Sequence, residues 1–298
     1  MKEVIRFPVT DIQRFTTRDG PGIRTTVFMK GCSLKCRWCH NPEAIRPTRE
    51  LCFHVRKCVG CGACAAACSK GRFTQGHGAY VFDADCVTCG KCAQVCPAGA
   101  IAEASRELAL EEILKTVLRD RSFYVPDGGV TVSGGEPLLQ KHLPQLLRAL
   151  REQGVHTAVD TAFCVPWERI EAAMPFTNLF LTDIKAINSD LHKELTGVGN
   201  GLILENIRRL AASGHAFWIR VPVIPGENSG EMAAIADFVR SLNRPDVPVE
   251  LIPYHNMAGG KYASLGLEMP LQELQPPKKE EMDVFYRSFE GLKRVEYT

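Results

Sequence analysis

No stretch of this 298-residue sequence reaches the roughly 18 consecutive apolar residues that a membrane span needs. The first residues, Met1 to Pro8, mix charges with apolar side chains and lack the uninterrupted apolar core of a secretion signal. No long run of Lys and Arg offers a basic arm, and a formal net charge of +2 provides little field to draw a polyanion. These absences predict a cytoplasmic protein with neither a membrane nor a nucleic-acid partner. What is present suits a globular chain. Hydrophobic residues make up 45%, enough for a real core, and the length fits one large domain or a large one with a small companion.

Cysteine, by contrast, is in excess, with thirteen residues. A disulfide framework belongs to short secreted chains, and this chain is neither. In a reducing compartment clustered cysteines more often bind metal, so their spacing decides. Cys32, Cys36 and Cys39 lie within eight residues and have no fourth cysteine beside them. Cys58, Cys61, Cys64 and Cys68 form a C-x2-C-x2-C-x3-C run, and Cys86, Cys89, Cys92 and Cys96 repeat it, followed by Pro97. Both runs match the bacterial ferredoxin pattern, with Ser69 in place of the first run's proline. In that pattern the fourth cysteine of each run ligates the other cluster. One [4Fe–4S] cluster is therefore expected on Cys58, Cys61, Cys64 and Cys96, and a second on Cys86, Cys89, Cys92 and Cys68. A tight loop wraps three corners of a cubane, while the fourth corner faces away and takes its ligand from elsewhere. A zinc ribbon would need only four cysteines, not eight in two complete runs.

The triad is different in kind. It leaves one iron of a cubane without a protein ligand, and an open coordination site is the mark of a reactive metal rather than a structural one. A zinc triad completed by His40 or His54 has compatible spacing, so the rest of the chain must decide. Cys52 and Cys164 match no motif and read as free thiols, Cys164 as a small core residue.

Residues 52–102, rich in Cys, Gly and Ala, read as a small inserted domain. Residues 1–51 and 103–298 then form the main one. Strands are expected at Ile23–Met29, Val130–Val132, His156–Asp160, Leu179–Ile184, Phe217–Val223 and Val249–Ile252. Helices are expected around Leu108–Leu118, Leu143–Leu150, Pro166–Met174, Leu202–Ala212, Met232–Val239 and Glu280–Phe289. Such alternation predicts a parallel sheet with helices outside it, leaving open a partial (β/α) barrel or a doubly wound sheet. Both place sites at the carboxyl ends of strands. The suggestive residues fall there: the triad, Ser133-Gly134-Gly135-Glu136-Pro137, Asp160-Thr161, Asp183-Ile184-Lys185, and Tyr254-His255, with Arg220 inside the fifth strand.

The triad with an aromatic before its third cysteine, followed by Gly-Gly-Glu-Pro after the second strand, resembles the radical S-adenosylmethionine (SAM) superfamily. Asp19-Gly20-Pro21-Gly22-Ile23-Arg24, Cys39-His40-Asn41-Pro42-Glu43, Trp218-Ile219-Arg220 through Pro225-Gly226, and Leu251-Ile252-Pro253-Tyr254-His255 resemble, more narrowly, glycyl radical enzyme activating enzymes. The resemblance covers essentially the whole chain, and the insert is typical of the family's larger members. It implies an α/β fold, a partial (β/α)6 barrel with an inserted bacterial-ferredoxin-like domain holding two [4Fe–4S] clusters, so three clusters in all. It further implies that Cys32, Cys36 and Cys39 hold the catalytic cluster. Gly134, Gly135 and Glu136 would contact the methionyl end of SAM, Trp38 would pack near adenine, and Asp160, Lys185 and His255 would line the rest. A monovalent cation near Asp160, Thr161 and Asp183 is implied as well. The partners implied are a glycyl radical enzyme, approaching near Asp19, and a low-potential electron donor such as flavodoxin or ferredoxin. Two other readings compete. One is a radical SAM enzyme acting on a small molecule or peptide. The other is a non-catalytic electron-transfer protein, which leaves the triad and Gly-Gly-Glu-Pro unexplained.

Overall fold

The computed structural model describes residues 4–70, 73–76, 79–82 and 86–295, so the expected insert at 52–102 lies partly outside the described residues. The chain opens with β1 (Arg6–Thr16) and β2 (Arg24–Met29). It then leaves for β3 (Leu51–Phe53), α1 (Ala63–Ala67), the antiparallel pair β4 (Phe73–Gly76) and β5 (Ala79–Phe82), α2 (Lys91–Gln94) and β6 (Ile101–Glu103). It returns through β7 (Arg106–Ala109) and α3 (Leu110–Val117). The alternation that follows is β8 (Gly129–Gly134), α4 (Leu143–Glu152), β9 (Thr157–Thr161), α5 (Trp167–Ala173), β10 (Leu179–Asp183), α6 (Ser189–Thr196), α7 (Gly201–Ser213) and β11 (Phe217–Val223). Last come α8 (Met232–Ser241), β12 (Val249–Pro253), α9 (Gly259–Ser264) and α10 (Lys279–Ser288).

The main sheet has eight strands in the order β12-β11-β10-β9-β8-β2-β1-β7. The six from β12 to β2 run parallel, and these are the six strands expected from the sequence. The edge was not expected: β1 pairs antiparallel with both β2 and β7. Only Phe7 and Val9 of β1 are deeply buried, so its alternation is too weak to read. The periodicity assigned to a helix from Leu108 begins in fact with a strand; α3 starts at Leu110, where the Glu112 carboxylate accepts from the Ala109 amide. Also unforeseen was α6, capped by Asn188, whose side chain accepts from the Asp190 and Leu191 amides.

Side chains alternate across a strand, and that alternation sorts the chemistry. Val27, Met29, Val130, Val132, Val159, Phe180, Ile219 and Val221 join the main apolar core with Leu146 and Leu147 of α4 and Ile207 and Leu210 of α7. The other set holds Arg24, Thr26, Phe28, Thr131, Ser133, Ala158, Asp160, Leu181, Asp183 and Arg220. It is the polar face, and most of its polar members are buried or nearly so.

Within the expected insert, Cys64, Cys92 and Ile101 pack with Leu51 in a small apolar cluster. β3 pairs antiparallel with β6, opposing Leu51 to Glu103, and the Ala104 amide donates to the Glu50 carbonyl at 2.9 Å. Inside it the two cysteine runs are conformational repeats. Each short helix follows a left-handed glycine, Gly62 (φ 74°) and Gly90 (φ 78°), and each buries its run's third cysteine, Cys64 or Cys92. At five and four residues the helices are too short to show a 3.6-residue period.

Arg24, fully buried, fastens the loop between β1 and β2 to β8. Its guanidinium donates to Thr131 Oγ1 at 2.6 Å and to the carbonyls of Val130 (2.9 Å) and Pro21 (3.1 Å). Burial lowers its pKa to about 10, still far above neutrality, so it stays charged. Replacing Arg24 with Met removes charge-assisted bonds and strands their acceptors. We expect a loss of about 2–4 kcal/mol in unfolding free energy by anaerobic urea titration; a change below ~0.5 kcal/mol, ordinary for surface positions, would contradict this role.

Candidate active site

A cavity of about 310 Å³ opens at the carboxyl ends of the parallel strands. Its wall includes all three triad cysteines, Trp38, Gly134, Gly135, Asp160, Thr161, Asp183, Lys185 and Arg220. The sequence scattered these residues over almost two hundred positions. Strand register gathers them, since Leu181 stands beside Asp160 and Asp183 beside Arg220.

The triad loop is held by backbone on both flanks. The Cys32 amide donates to the Ile45 carbonyl (2.9 Å), while Lys35 and Arg37 donate to the carbonyls of Thr196 (2.7 Å) and Leu195 (3.0 Å) at the end of α6. The loop can therefore present three thiols to the cavity without a regular element of its own. Burial pushes the Cys32 and Cys39 thiols up to about 12 and raises Cys36 as well. Without metal they remain protonated, so a metal must expel their protons on binding. Among the described residues no three His, Cys, Asp or Glu side chains converge as ligands of one ion. A cubane asks for something else, each thiolate on a different iron.

The two glycines have a reason that differs from the expected approach to a ligand. A Cβ on Gly135 would sit 2.2 Å from the Gly31 carbonyl oxygen, and one on Gly134 (φ 109°) would sit 2.4 Å from the Met29 amide nitrogen. They let the loop after β8 lie directly on the loop after β2, where Gly135 N donates to Met29 O (2.8 Å) and Glu136 N to Gly31 O (2.7 Å). Glu136, expected to meet an ammonium, is fully buried, and its carboxylate is occupied by the protein. It accepts from Thr161 Oγ1 at 2.7 Å, the Ala162 amide at 3.0 Å and the Leu138 amide at 3.2 Å. Burial outweighs those bonds and raises its pKa to about 7.

Charges of both signs meet at the cavity. Arg220 lies 3.2 Å from Asp160 and 3.2 Å from Glu250, and Asp160 also accepts from Ser133 Oγ at 2.7 Å. Burial, reinforced by Asp183, raises the Asp160 carboxyl despite the pull of Arg220. Lys185 is buried against Asp183 at 2.5 Å. Burial alone would lower its pKa, but the negative charge around it, Asp183 first, keeps it raised. Asp160, Thr161 and Asp183 thus share the wall expected for a monovalent cation, with both carboxylates facing protein cations.

Trp38 is buried beside Ile224 and Tyr254 in a separate apolar cluster. His255 stacks on His40, ring centroids 3.9 Å apart, with its Nδ1 buried and unpartnered among the described residues. His40, not His255, reaches the cavity wall. Lys261 was not foreseen. It reaches Asn41 Oδ1 (2.8 Å) and Glu43 Oε1 (2.6 Å), pinning the segment after Cys39. Asn41 and Glu43 stood in a quoted motif, but a lysine on a short late helix carries no local signal. Asp19 lines the cavity too, held by Thr26 Oγ1 at 2.7 Å.

Two outcomes follow from this geometry. Gly135→Ala forces backbone apart, and we expect it to destabilise the chain by about 2–4 kcal/mol in urea, within the range for strained and overpacked positions. Glu136 sets a pH dependence. Between the ordinary 4.5 and about 7 the folded state keeps a proton that the unfolded chain has lost. Its contribution to stability therefore falls as pH rises through that window and is constant above it. On the order of 2–3 kcal/mol should disappear from wild type across it, and Glu136→Gln should flatten the slope. An equally steep variant would refute the assignment.

Residues 26–239 match the family model of the radical SAM superfamily. The isethionate sulfite-lyase activating enzyme of Desulfovibrio desulfuricans is 42% identical over 284 residues, covering 89% of this chain and 88% of the relative. The (2S)-3-sulfopropanediol dehydratase activating enzyme of Klebsiella oxytoca is 35% identical over 293 residues, covering 95% and 90%. Among solved structures, Streptococcus suis SuiB bound to its precursor peptide SuiA matches with a TM-score of 0.53 at 11% identity, over 93% of this chain and 49% of that one, a likeness of fold alone. The chain belongs to the radical SAM superfamily and, within it, to the glycyl radical enzyme activating enzymes.

Proposed function

We propose that this chain cleaves SAM reductively and uses the product radical to take a hydrogen atom from a backbone glycine of a partner enzyme. One observation carries the reading: Cys32, Cys36 and Cys39 face the same cavity as Asp160, Asp183, Lys185 and Arg220, at the carboxyl ends of parallel strands. Cys32, Cys36 and Cys39 would hold a [4Fe–4S] cluster, which would supply, when reduced, the electron for cleaving the SAM bond from sulfur to the 5′ carbon.

The protein's part is to hold and orient. The cavity is at the lower end of the range for small-ligand sites and offers both charge signs, as a zwitterionic methionyl group requires. Gly134 and Gly135 offer backbone to that end, with Glu136 beneath them bracing Thr161 and Ala162. Trp38 offers an apolar face for adenine. The unpartnered Nδ1 of His255 is a place for a further polar contact. A monovalent cation near Asp160, Thr161 and Asp183 would compete with Arg220 and Lys185 for the same oxygens. Asp19 at the rim suits the approach of the partner's glycine loop.

The finer architecture belongs to the same reading. Phe28 of β2 and Ile252 of β12 line one cavity although they lie five strand spacings apart in the sheet, which favours a sheet curled into a partial (β/α)6 barrel. In the insert, Cys58, Cys61, Cys64 and Cys96 share one small pocket, the ligand set a ferredoxin-like cluster would use. Cys86, Cys89 and Cys92 group together similarly, with Cys68 the fourth ligand from the other run. Three clusters held in this way would offer a path for electrons from a low-potential donor such as flavodoxin or ferredoxin. No helix among the described residues is long and apolar enough to cross a membrane, in keeping with a cytoplasmic setting.

Anaerobic reconstitution with reductant and SAM should yield 5′-deoxyadenosine from wild type and none from Cys36→Ala, with iron falling from about twelve to about eight per chain. Equal product from the variant would sink the proposal. Cys89→Ala should slow reduction by a protein donor; an unchanged rate would count against the relay.

A further inference from the structure

A cleft larger than the active-site cavity lies elsewhere on the chain. It measures about 1050 Å³ and lies between the insert and the segment from Gly260 to Leu267. Among the described residues, four basic side chains line it, Arg46, His54, Arg56 and Lys57, against one acid, Glu50. Glu50 is already balanced by Lys30 at 2.7 Å and Arg46 at 3.4 Å. Arg56 and Lys57 are exposed, and among the described residues neither has an ion-pair partner. The rim is apolar as well as basic, with Val55 56% exposed and Leu267 40% exposed. Basic charge around exposed apolar side chains is the composition of a transient docking surface, in which charge steers and apolar contact holds.

What lies under the cleft decides the occupant. Cys86 and Thr88 are in its wall, so a visitor comes against the first expected ligand of a cluster. Cys86 packs in the same small apolar group as Cys64, Cys92 and Cys96, so both cysteine runs lie directly behind this wall. The opposite wall belongs to α9, whose Lys261 pins Asn41 and Glu43 beside the catalytic triad. The exposed cysteines Cys61 and Cys89 lie outside this wall, and Arg49, which reaches the Cys89 carbonyl, is already paired with Glu103.

We propose that this cleft docks an acidic one-electron donor protein and is the port where electrons enter the chain, through the group that Cys86 helps to hold. The inference rests on the proposed function above and adds the place and charge of the donor. Each encounter oxidises the donor by one electron and reduces this chain by one. Long-range attraction accelerates such encounters, and salt screens it.

The test uses reconstituted full-length protein and an acidic flavodoxin as probe. Binding of the flavodoxin to Arg56→Glu/Lys57→Glu, measured by calorimetry at low salt, should be at least about tenfold weaker than to wild type. Wild-type affinity should itself fall with added salt, while the variant's should scarcely change. Production of 5′-deoxyadenosine should slow with reduced flavodoxin and stay at the wild-type rate with dithionite, which needs no docking surface. Leu267→Glu, on the opposite wall and outside the insert, should give the same pattern if the double variant folds poorly. Unchanged flavodoxin affinity, or unchanged flavodoxin-driven turnover despite weaker binding, would overturn the port. Loss of product with both reductants in wild type would instead overturn the activating-enzyme reading.

Discussion

The site depends on a contact between two backbones. The loop after β8 lies on the loop after β2 at hydrogen-bonding distance, with Gly135 donating to Met29 and Glu136 to Gly31. No side chain larger than hydrogen fits between them. The Gly31 amide in turn donates to Ala44, and the Cys32 amide to Ile45. The segment that presents the thiols and the segment that presents Gly-Gly-Glu are therefore one rigid piece. Backbone contacts of this kind leave little slack, which suits a cluster and a ligand that must meet at bonding distance.

Around that piece the protein has collected buried charge, which is costly unless paired. It pairs Arg220 with Asp160 and Glu250, and Lys185 with Asp183. Basic and acidic side chains therefore stand paired at the cavity before anything binds. Preorganised charge of this kind needs no rearrangement when a charged ligand arrives.

Much of this was readable from sequence, for physical reasons. The six parallel strands are largely buried on both faces, so their apolar runs stand out, and Asp160 and Asp183 could be placed at strand ends, and Arg220 within its strand, by counting alone. Cysteine spacing is legible because a cubane constrains a loop locally. What could not be read depends on tertiary partners. β1 is half exposed, and the edge strand that covers its outer side, β7, comes about a hundred residues later in the chain. Glu136 could be singled out as a candidate carboxylate, but not as one enclosed by Thr161 and Ala162. Lys261 has meaning only once α9 lies against Asn41 and Glu43.

The pairing of β3 with β6 has a consequence for how such a chain can change. The insert leaves and rejoins the main body at neighbouring points, Glu50 and Ala104, bonded to each other. A short link could close that gap at little entropic cost, and the register of every main-sheet strand would be unaffected. The cysteine-rich stretch is therefore joined so that its loss or replacement over evolutionary time would leave the shape of the main cavity unchanged.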